Sequence, residues 1–418
     1  MSIQTRANAF LYGADNRWEL LFSCIPRLLD YVEGFITADS TIQSFMGKRV
    51  YNIKNLNQFF DRPIVATFYD KTRHHIVDYQ NMKLSVGDRQ IIPARSWIAN
   101  ILLSDSSALI KPSKVRLEAC TECQLKCTSC YMRLSNYGSV GKGYLIFDNF
   151  KRFVDENSFI KQIELSNNGE VFLNPDLIRI LRYAKKHSID ISISNGTNFN
   201  YVRSDVMEGL VRYGVKQICI SIDGACQNVY SKYRVGGNFD KVISNIKKLC
   251  EYKEKYNTVY PELVWQYILM EHNEKDIELA KHISQKFHMN ILYKLDWDGR
   301  YIPKDPAQVK QVTGLTTFNR IDWKKRTGKA YVSDMCQQMI FRPQINYDGR
   351  LLGCCGVYLD DWNINVFQNS FIRSLNEGSY FQALIDFLTG TPNKQLNSIC
   401  SHCSAKLHSY GDTQVLNI

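Results

Sequence analysis

The stretch CQLKCTSC at residues 123–130 is the part of the sequence that most constrains the fold around it. Its three thiols follow a C-x3-C-x2-C spacing, which suits three corners of a cube-shaped iron–sulfur cluster. Since such a cluster has four irons, three protein ligands leave one iron open to a small molecule. The alternative is a structural zinc site with Cys120 as a fourth ligand. The spacing favours the cluster, because it lacks the paired C-x2-C form of zinc ribbons and no matching pair follows closely.

The sequence around these cysteines alternates between short apolar strands and helical segments. Strands are expected at residues 115–118, 162–165, 189–193, 217–222, 263–269 and 290–294. Helices are expected at residues 147–154, 175–187, 204–213, 239–253 and 274–287. This repetition predicts an α/β fold with a partial (β/α)6 barrel at residues 111–305. The active site of such a barrel lies at the carboxyl ends of its strands, where the cysteines and several polar motifs fall.

Residues 1–110 are predicted to form a small α/β domain with a Rossmann-like opening. A strand at residues 9–12 ends at Gly13, and a helix at residues 18–31 and a second strand at residues 32–36 follow. Later segments of this domain are predicted strands at residues 63–68 and 90–92 and a helix at residues 71–82. Only one glycine of the G-x-G-x-x-G dinucleotide fingerprint is present, so we expect docking or substrate recognition here rather than dinucleotide binding.

The composition is that of an ordinary globular protein with a basic surface. Lys and Arg number 52 against 41 Asp and Glu, which gives a net charge of +11 over 418 residues. This surplus favours anionic ligands such as nucleotides and phosphorylated or acidic sugars. Nucleic acid is not an expected partner, because no dense Lys/Arg run is interleaved with aromatic residues. No stretch resembles a membrane span and residues 1–6 lack the apolar core of a signal peptide, so we expect a cytoplasmic protein.

A second group of cysteines follows the β/α repeats, which stop near residue 300. In a large cytosolic chain, clustered cysteines more often hold metals than form disulfides. The 13 cysteines of this chain include a late group at Cys336, Cys354, Cys355, Cys400 and Cys403. We therefore expect a third, cysteine-rich metal-binding module at residues 306–418.

Taken together, the motifs resemble those of the radical S-adenosylmethionine (SAM) enzymes over roughly residues 113–300. Asn168-Gly169-Glu170 stands where that superfamily has a Gly-Gly-Glu element after the second strand, with Asn168 in place of the usual first glycine. By the resemblance, Gly169 lets the backbone reach the methionine amino group of SAM. The Glu170 carboxylate then accepts the protons of that amino group.

A further set of residues resembles the segment that follows the fourth strand in these enzymes. The set comprises Ser221-Ile222-Asp223-Gly224, Tyr233-Arg234 and Gly236-Gly237-Asn238-Phe239. By this likeness Ser221 hydrogen-bonds the ribose and Arg234 faces the SAM carboxylate. Asn195 and Asp223 complete the predicted cofactor site. Many members carry an aromatic residue that touches the adenine just before the last cluster cysteine, but here that position is Ser129. Singly, each of these residues could be a turn or a helix cap, and it is their order at successive strand ends that favours a site.

The late cysteines resemble the auxiliary-cluster module called Twitch, a shortened form of the SPASM module. By the resemblance, Cys336, Cys354, Cys400 and Cys403 supply four thiolates to one complete [4Fe–4S] cluster. Their spacing is similar to that in the radical SAM aminocyclitol dehydrogenases of antibiotic biosynthesis. Cys355 is an alternative to Cys354, and a zinc site formed by the same cysteines is the alternative to a cluster.

The resemblance implies a radical oxidoreductase. A [4Fe–4S] cluster at residues 123–130 would pass one electron to SAM, giving methionine and a 5′-deoxyadenosyl radical that takes a hydrogen atom from the substrate. We expect a small hydroxylated substrate, carbohydrate-like or nucleotide-linked, that is oxidised with the auxiliary [4Fe–4S] cluster as electron acceptor. A one-electron reductant such as flavodoxin or ferredoxin would be the protein partner.

The motifs do not fix the group that removes the hydroxyl proton. Asp296, Asp298, Tyr267 and Glu271 are candidates near the ends of predicted strands, and ordinary loop solvation is the simpler interpretation of each. Cys226 suggests a radical epimerase in which this thiol returns a hydrogen atom, against the simpler interpretation of an inert buried thiol.

Two other functions remain open from the sequence. Many relatives with auxiliary clusters modify ribosomal peptides, although they usually carry a winged-helix leader-binding domain, whereas residues 1–110 have a β/α pattern. The other is a non-catalytic iron–sulfur or zinc protein that senses redox state or tethers a partner. Cleavage of SAM in the presence of a reductant would separate an enzyme from such a tether.

Overall fold

The computed structural model describes residues 8–54, 62–66, 91–136, 138–296, 301–327, 335–354 and 362–389. The chain forms two compact units. The first comprises residues 1–112 and 372–401, and the second comprises residues 113–371 and 402–418. The division into three domains expected from the sequence remains a prediction.

The first unit contains a six-stranded sheet. Its strands are β1 (Ala9–Tyr12), β2 (Val32–Thr37), β3 (Ser44–Phe45), β4 (Lys48–Asn52), β5 (Ile64–Ala66) and β6 (Ile91–Pro93). They lie in the order β3-β4-β2-β1-β5-β6, and all pairs are parallel except β3 with β4. The strand, glycine turn, helix and strand predicted at the start of this unit are therefore present. The predicted helix at residues 71–82 lies outside the described residues.

One predicted helix of this unit is divided. An α-helix at Asn16–Cys24 is followed by a 3-10 helix at Pro26–Tyr31, where the sequence predicted a single helix to residue 31. Pro26 explains the break, because it has no N–H for the α-helical hydrogen bond and its ring disturbs the preceding turn. The helices Ala94–Ser104 and Gly378–Thr389 pack against each other in the same unit.

The second unit contains an eight-stranded sheet. Its strands are β7 (Lys114–Leu117), β8 (Gln162–Glu164), β9 (Asp190–Thr197), β10 (Gln217–Ser221), β11 (Glu262–Leu269), β12 (Asn290–Leu295), β13 (Gln344–Ile345) and β14 (Leu351–Gly353). Strands β7 to β12 are consecutive, parallel neighbours, as a partial barrel requires. The six predicted strands are confirmed to within a few residues. The sheet also continues past β7 into β13 and β14, which the sequence did not predict.

Helices alternate with the parallel strands of this sheet. Among the described residues from 131 to 341, the α-helices are Tyr131–Leu134, Phe147–Glu156, Leu177–Lys186, Ser204–Arg212, Gln227–Tyr233, Phe239–Lys255, Ile277–Lys286, Pro306–Thr313, Arg320–Thr327 and Met335–Phe341. The helix Phe371–Asn376 follows the last strand and belongs almost wholly to the first unit. Helix Phe239–Lys255 begins at Asn238, whose side chain accepts a hydrogen bond from the Lys241 backbone N–H. No helix among the described residues is long and apolar enough to cross a membrane.

The strands of the second unit have one apolar and one polar face. In β10, the buried Ile218 and Ile220 alternate with Cys219 and Ser221, and β11 places Gln266 beside Ser221. Because side chains alternate along a strand, cross-strand neighbours fall on one face of the sheet. We call this the polar face, and its members include Glu164, Ser194, Ser221, Gln266 and Lys294.

Candidate active site

The cysteine loop lies between the end of β7 and the helix Tyr131–Leu134. Its backbone is fixed to the segment after the fourth barrel strand by a 2.8 Å hydrogen bond from the Lys126 N–H to the Val235 carbonyl. Cys127 is buried, and Cys123 and Cys130 are half-buried. All three cysteines belong to one apolar cluster with Leu125, Tyr233, Ile268 and Met270. The structure thus brings the three predicted ligands together on a common apolar floor.

Two side chains donate hydrogen bonds to these sulfurs, Arg234 from the end of the helix Gln227–Tyr233 and Asn198 from the residue after β9. Arg234 Nη1 lies 3.6 Å from Cys127 Sγ, and Asn198 Nδ2 lies 3.6 Å from Cys123 Sγ. N–H donors to cysteine sulfurs are typical of iron–sulfur sites, where they stabilise negative charge on the thiolates. The residues present therefore fit a cluster. Sequence reasoning missed Asn198, which follows the polar end of β9.

Two thiols of the loop, those of Cys123 and Cys127, have a raised pKa. Burial raises the pKa of Cys123 to about 12. Burial also raises the pKa of Cys127, and the positive charge of Arg234 opposes this effect. Because metal ligands must be thiolates, ion binding has to drive the loss of these protons.

Arg234 forms a buried ion pair with Asp223. Its Nε donates to Asp223 Oδ2 at 2.5 Å, and Asp223 Oδ1 accepts the Ile268 N–H at 2.7 Å. The Asp223 side chain is fully buried and that of Arg234 is only 12% exposed. Burial opposes the charge of Arg234, but Asp223 and Cys127 outweigh it and raise the pKa of the guanidinium. Both residues are in the predicted cofactor set, and the structure joins them to each other and to the cysteine loop.

The Asn168-Gly169-Glu170 element packs directly under the cysteine loop. A Cβ on Gly169 would lie 2.3 Å from the Cys120 carbonyl oxygen and 2.5 Å from the Thr121 carbonyl carbon. Backbone packing alone therefore requires glycine at position 169, independently of any contact with SAM. The Asn168 N–H donates to the buried Glu118 carboxylate at 2.8 Å.

Glu170 is buried and its carboxylate is already bonded within the protein. It accepts from the Thr197 hydroxyl and from the Asn198 N–H at 2.6 Å. Burial raises its pKa to about 7, against the opposing effect of these donors. Asn198 in turn donates to the sulfur of Cys123. Glu170 therefore positions Asn198, and through it stabilises the cysteine loop. This internal bonding differs from the direct contact with a ligand amino group that the resemblance implied.

Ser221 and Asn195 lie at neighbouring strand ends. Ser221 Oγ accepts from Gln266 Nε2 at 3.1 Å, and a Cβ on Gly196 would lie 2.8 Å from that oxygen. Asn195 Nδ2 donates to Asn167 Oδ1 at 2.7 Å. Gln266 was missed from the sequence, although its place between the apolar Trp265 and Tyr267 marks the polar face of β11.

Ser129 is paired with an aromatic residue. Its hydroxyl lies 3.1 Å from the Tyr233 hydroxyl, and Tyr233 packs against the cysteines. An aromatic ring therefore lies beside the loop even though position 129 does not supply it.

The candidate bases occupy different environments. Tyr267 lies on the face of β11 opposite to Gln266, fully buried, and its hydroxyl donates to the Asn273 carbonyl at 2.7 Å. Tyr267 therefore does not lie on the polar face, and its role as the base stays a prediction. Glu271 is exposed and pairs with Lys304.

The remaining candidates are Asp296, Asp298 and Cys226. Asp296 is buried just after β12, and Asp298 lies outside the described residues. Cys226 is exposed, not buried, and its sulfur lies 3.8 Å from Asp276 Oδ2. Among the described residues, no hydrogen bond or apolar cluster joins Cys226 to the cysteine loop.

Most of the second cysteine group lies outside the described residues, namely Cys355, Cys400 and Cys403. Cys354 follows β14 and is half-buried, and the backbone of Cys336 lies in the helix Met335–Phe341. In the described ranges, no three His, Cys, Asp or Glu side chains converge on a single metal-ion position. The expected auxiliary ligand set therefore remains a prediction.

Residues 117–283 match the model of the radical SAM superfamily, and this segment is a radical SAM domain. A radical SAM domain implies a [4Fe–4S] cluster and SAM as cofactors. The match begins at the end of β7 and ends within the helix after β11, so it includes the cysteine loop and the polar strand ends.

The protein is similar to several known proteins over part of its length. It is 28% identical over 177 residues to the AdoMet-dependent heme synthase of Methanosarcina barkeri, covering 41% of this chain and 48% of the relative. It is 26% identical over 193 residues to the subtilosin biosynthesis protein AlbA of Bacillus subtilis, covering 45% and 42%. The chain thus spans about half of the length of these relatives.

A solved structure extends the likeness in fold. Streptococcus suis SuiB, crystallised with its precursor peptide SuiA, superposes with a TM-score of 0.52 at 12% identity. The superposition covers 78% of this chain and 75% of SuiB. At this identity the likeness concerns the fold alone.

Proposed function

We propose that the protein is a radical SAM enzyme whose first cluster is held by Cys123, Cys127 and Cys130. The observation that carries the proposal is the hydrogen bond from Arg234, anchored on Asp223, to the sulfur of Cys127. It ties the cysteine loop to the strand end where SAM-binding residues are expected. When bound, the cluster and SAM supply a 5′-deoxyadenosyl radical that removes a hydrogen atom from a substrate.

The hydrogen bonds to the sulfurs support a cluster at the cysteine loop. The three loop cysteines share an apolar cluster. Two N–H donors on the sulfurs fit a negatively charged cluster.

Each of the nearby residues has a role in this proposal. Ser221 faces the ribose of SAM, and Arg234 presents positive charge between the cluster and the SAM carboxylate. Asn168, Gly169 and Glu170 form the floor of the methionine site and order Asn198 against Cys123. Asn195 and Asp223 hold the neighbouring strand ends in place.

The substrate in this proposal is a small hydroxylated molecule that is oxidised to a carbonyl compound. The substrate carbon loses a hydrogen atom to the radical, its hydroxyl loses a proton, and one electron has to leave. Asp296, buried after β12, is the base that we assign to the proton. An auxiliary [4Fe–4S] cluster on Cys336, Cys354, Cys400 and Cys403 is the electron acceptor, on the strength of their spacing. Flavodoxin or ferredoxin would supply the first electron.

Modification of a peptide is a second candidate function. It is favoured by the 26% identity to AlbA, a bacteriocin biosynthesis protein. The parallel strands of the first unit are not the winged helix that such enzymes usually carry, so we place this function second.

Anaerobic reconstitution tests the proposal. The reconstituted protein, given SAM and dithionite, should release 5′-deoxyadenosine, and Cys130→Ala should abolish this release while the matched Cys250→Ala variant keeps it. Zinc instead of iron, or no cleavage, would identify a non-catalytic metal protein.

Turnover of candidate sugars in deuterated water then separates oxidation from epimerisation. Loss of two mass units indicates oxidation, and gain of one deuterium indicates epimerisation through a donor such as Cys226.

A further inference from the structure

Lys294 places a positive charge on the polar face of the second unit. It lies near the end of β12, and its Nζ is 2.5 Å from Gln266 Oε1. Gln266 in turn donates to Ser221 Oγ at 3.1 Å. A chain of two hydrogen bonds therefore joins this lysine to the serine that we assign to the SAM ribose.

Among the described residues, the ammonium group of Lys294 has no carboxylate partner. Its hydrogen-bond partner there is the uncharged amide of Gln266. A half-buried ammonium without a counter-ion is costly, and proteins usually pair such charges. Within the same residues, two of its three N–H donors have no partner and suit a ligand.

Charges of both signs surround Lys294. Burial lowers its pKa, the charges of Cys219 and Asp223 oppose that effect, and the guanidinium groups of Arg320 and Arg234 reinforce it. The carboxylate of Asp223 is already paired with Arg234. An ammonium group whose N–H donors meet no carboxylate among the described residues suits an oxyanion.

We propose that Lys294 binds an anionic oxygen group of the substrate, a carboxylate or a phosphate, next to the SAM site. The assignment rests on the radical SAM function proposed above and narrows its substrate to an anion. Lys294 is a binding residue in this scheme, and Gln266 holds its ammonium group toward the ribose side of the site.

Binding of simple anions tests the proposal directly. The reconstituted protein with SAM is titrated with inorganic phosphate and, separately, with acetate, and heat of binding is recorded. Lys294→Met should weaken the preferred anion by at least about tenfold, as expected for loss of a charge-assisted hydrogen bond. Lys294→Arg should retain binding, and Lys247→Met, which removes an exposed lysine from helix Phe239–Lys255, should behave as the unaltered protein. Preference for phosphate or acetate identifies the group.

Three results would overturn the assignment. Equal anion binding by the Lys294→Met and Lys247→Met variants would show that the anion binds elsewhere on the basic surface. If Lys294→Met lowers the affinity for SAM by the same factor as the affinity for the anion, Lys294 binds the carboxylate of SAM and not a group of the substrate. If Lys294→Met abolishes turnover but leaves the affinity for the anion unchanged, Lys294 transfers a proton and does not bind the anion. Failure of the unaltered protein to cleave SAM would reject the proposed function, whereas the anion titration reports on Lys294 alone.

Discussion

The Nη1 atom of Arg234 lies 3.6 Å from the sulfur of Cys127. The same guanidinium is held by the fully buried carboxylate of Asp223, which also accepts the Ile268 N–H of β11. One arginine therefore connects the proposed cluster ligands with two adjacent strand ends. Because both charges are largely removed from water, each depends on the other for neutralisation.

Removal of this arginine should destabilise the protein. Arg234→Met leaves the carboxylate of Asp223 buried without a counter-charge, so we expect the free energy of unfolding to fall by about 3–5 kcal/mol. Chemical denaturation under anaerobic conditions measures this change. In the double variant Arg234→Met, Asp223→Leu, the loss should be smaller than the sum of the two single losses. Additive losses would contradict a direct pairing.

Much of the barrel could be predicted from the sequence because its strands are short apolar runs between helices of clear periodicity. Strands β13 and β14 were missed because they have only two and three residues, which is too short for a pattern. The three loop cysteines were singled out by their spacing, and Arg234 by the resemblance of its segment to the radical SAM enzymes. Gln266 and Lys294 were missed, and the face of β11 on which Tyr267 lies could not be predicted, because cross-strand register is a tertiary property.

The buried carboxylate of Glu118 predicts a dependence of stability on pH. Burial raises its pKa to about 8 from an ordinary value of 4.5, although the Asn168 and Asn167 N–H groups oppose this. The folded state therefore holds the proton more tightly than the unfolded state. The stability that this group contributes is complete below its ordinary pKa and is lost as the pH rises through about 8.

Replacement of Glu118 with the uncharged Gln should flatten this dependence. Between about pH 5 and pH 8, the free energy of unfolding of the unaltered protein should decrease relative to that of Glu118→Gln by an amount on the order of a few kcal/mol. Chemical denaturation at a series of pH values measures the difference. Glu254→Gln, on the exposed side of helix Phe239–Lys255, is the control and should follow the unaltered protein. Parallel profiles for Glu118→Gln and the unaltered protein would show that this carboxyl titrates normally.

Tyr267 and Asp296 should respond differently to substitution. Tyr267→Phe removes one buried hydrogen bond to the Asn273 carbonyl, so we expect a loss of about 1 kcal/mol of stability and little change in the ratio of product to 5′-deoxyadenosine. Asp296→Asn removes the proposed base, so product formation should fall while SAM cleavage continues. Chromatography of both products after turnover gives the ratio. A fall confined to Tyr267→Phe would restore the tyrosine as the base.

The two adjacent cysteines after β14 allow a matched test of the auxiliary cluster. If Cys354 is a ligand and Cys355 is not, Cys354→Ala should lower the iron content of the reconstituted protein from about eight to about four atoms per chain, since each cluster holds four. Cys355→Ala should keep the full amount. Iron and sulfide analysis, with electron paramagnetic resonance of the reduced protein, measures both. The opposite result would assign Cys355 as the ligand. If the unaltered protein contains only about four irons per chain, it has no auxiliary cluster. The proposed oxidation would then lack its electron acceptor.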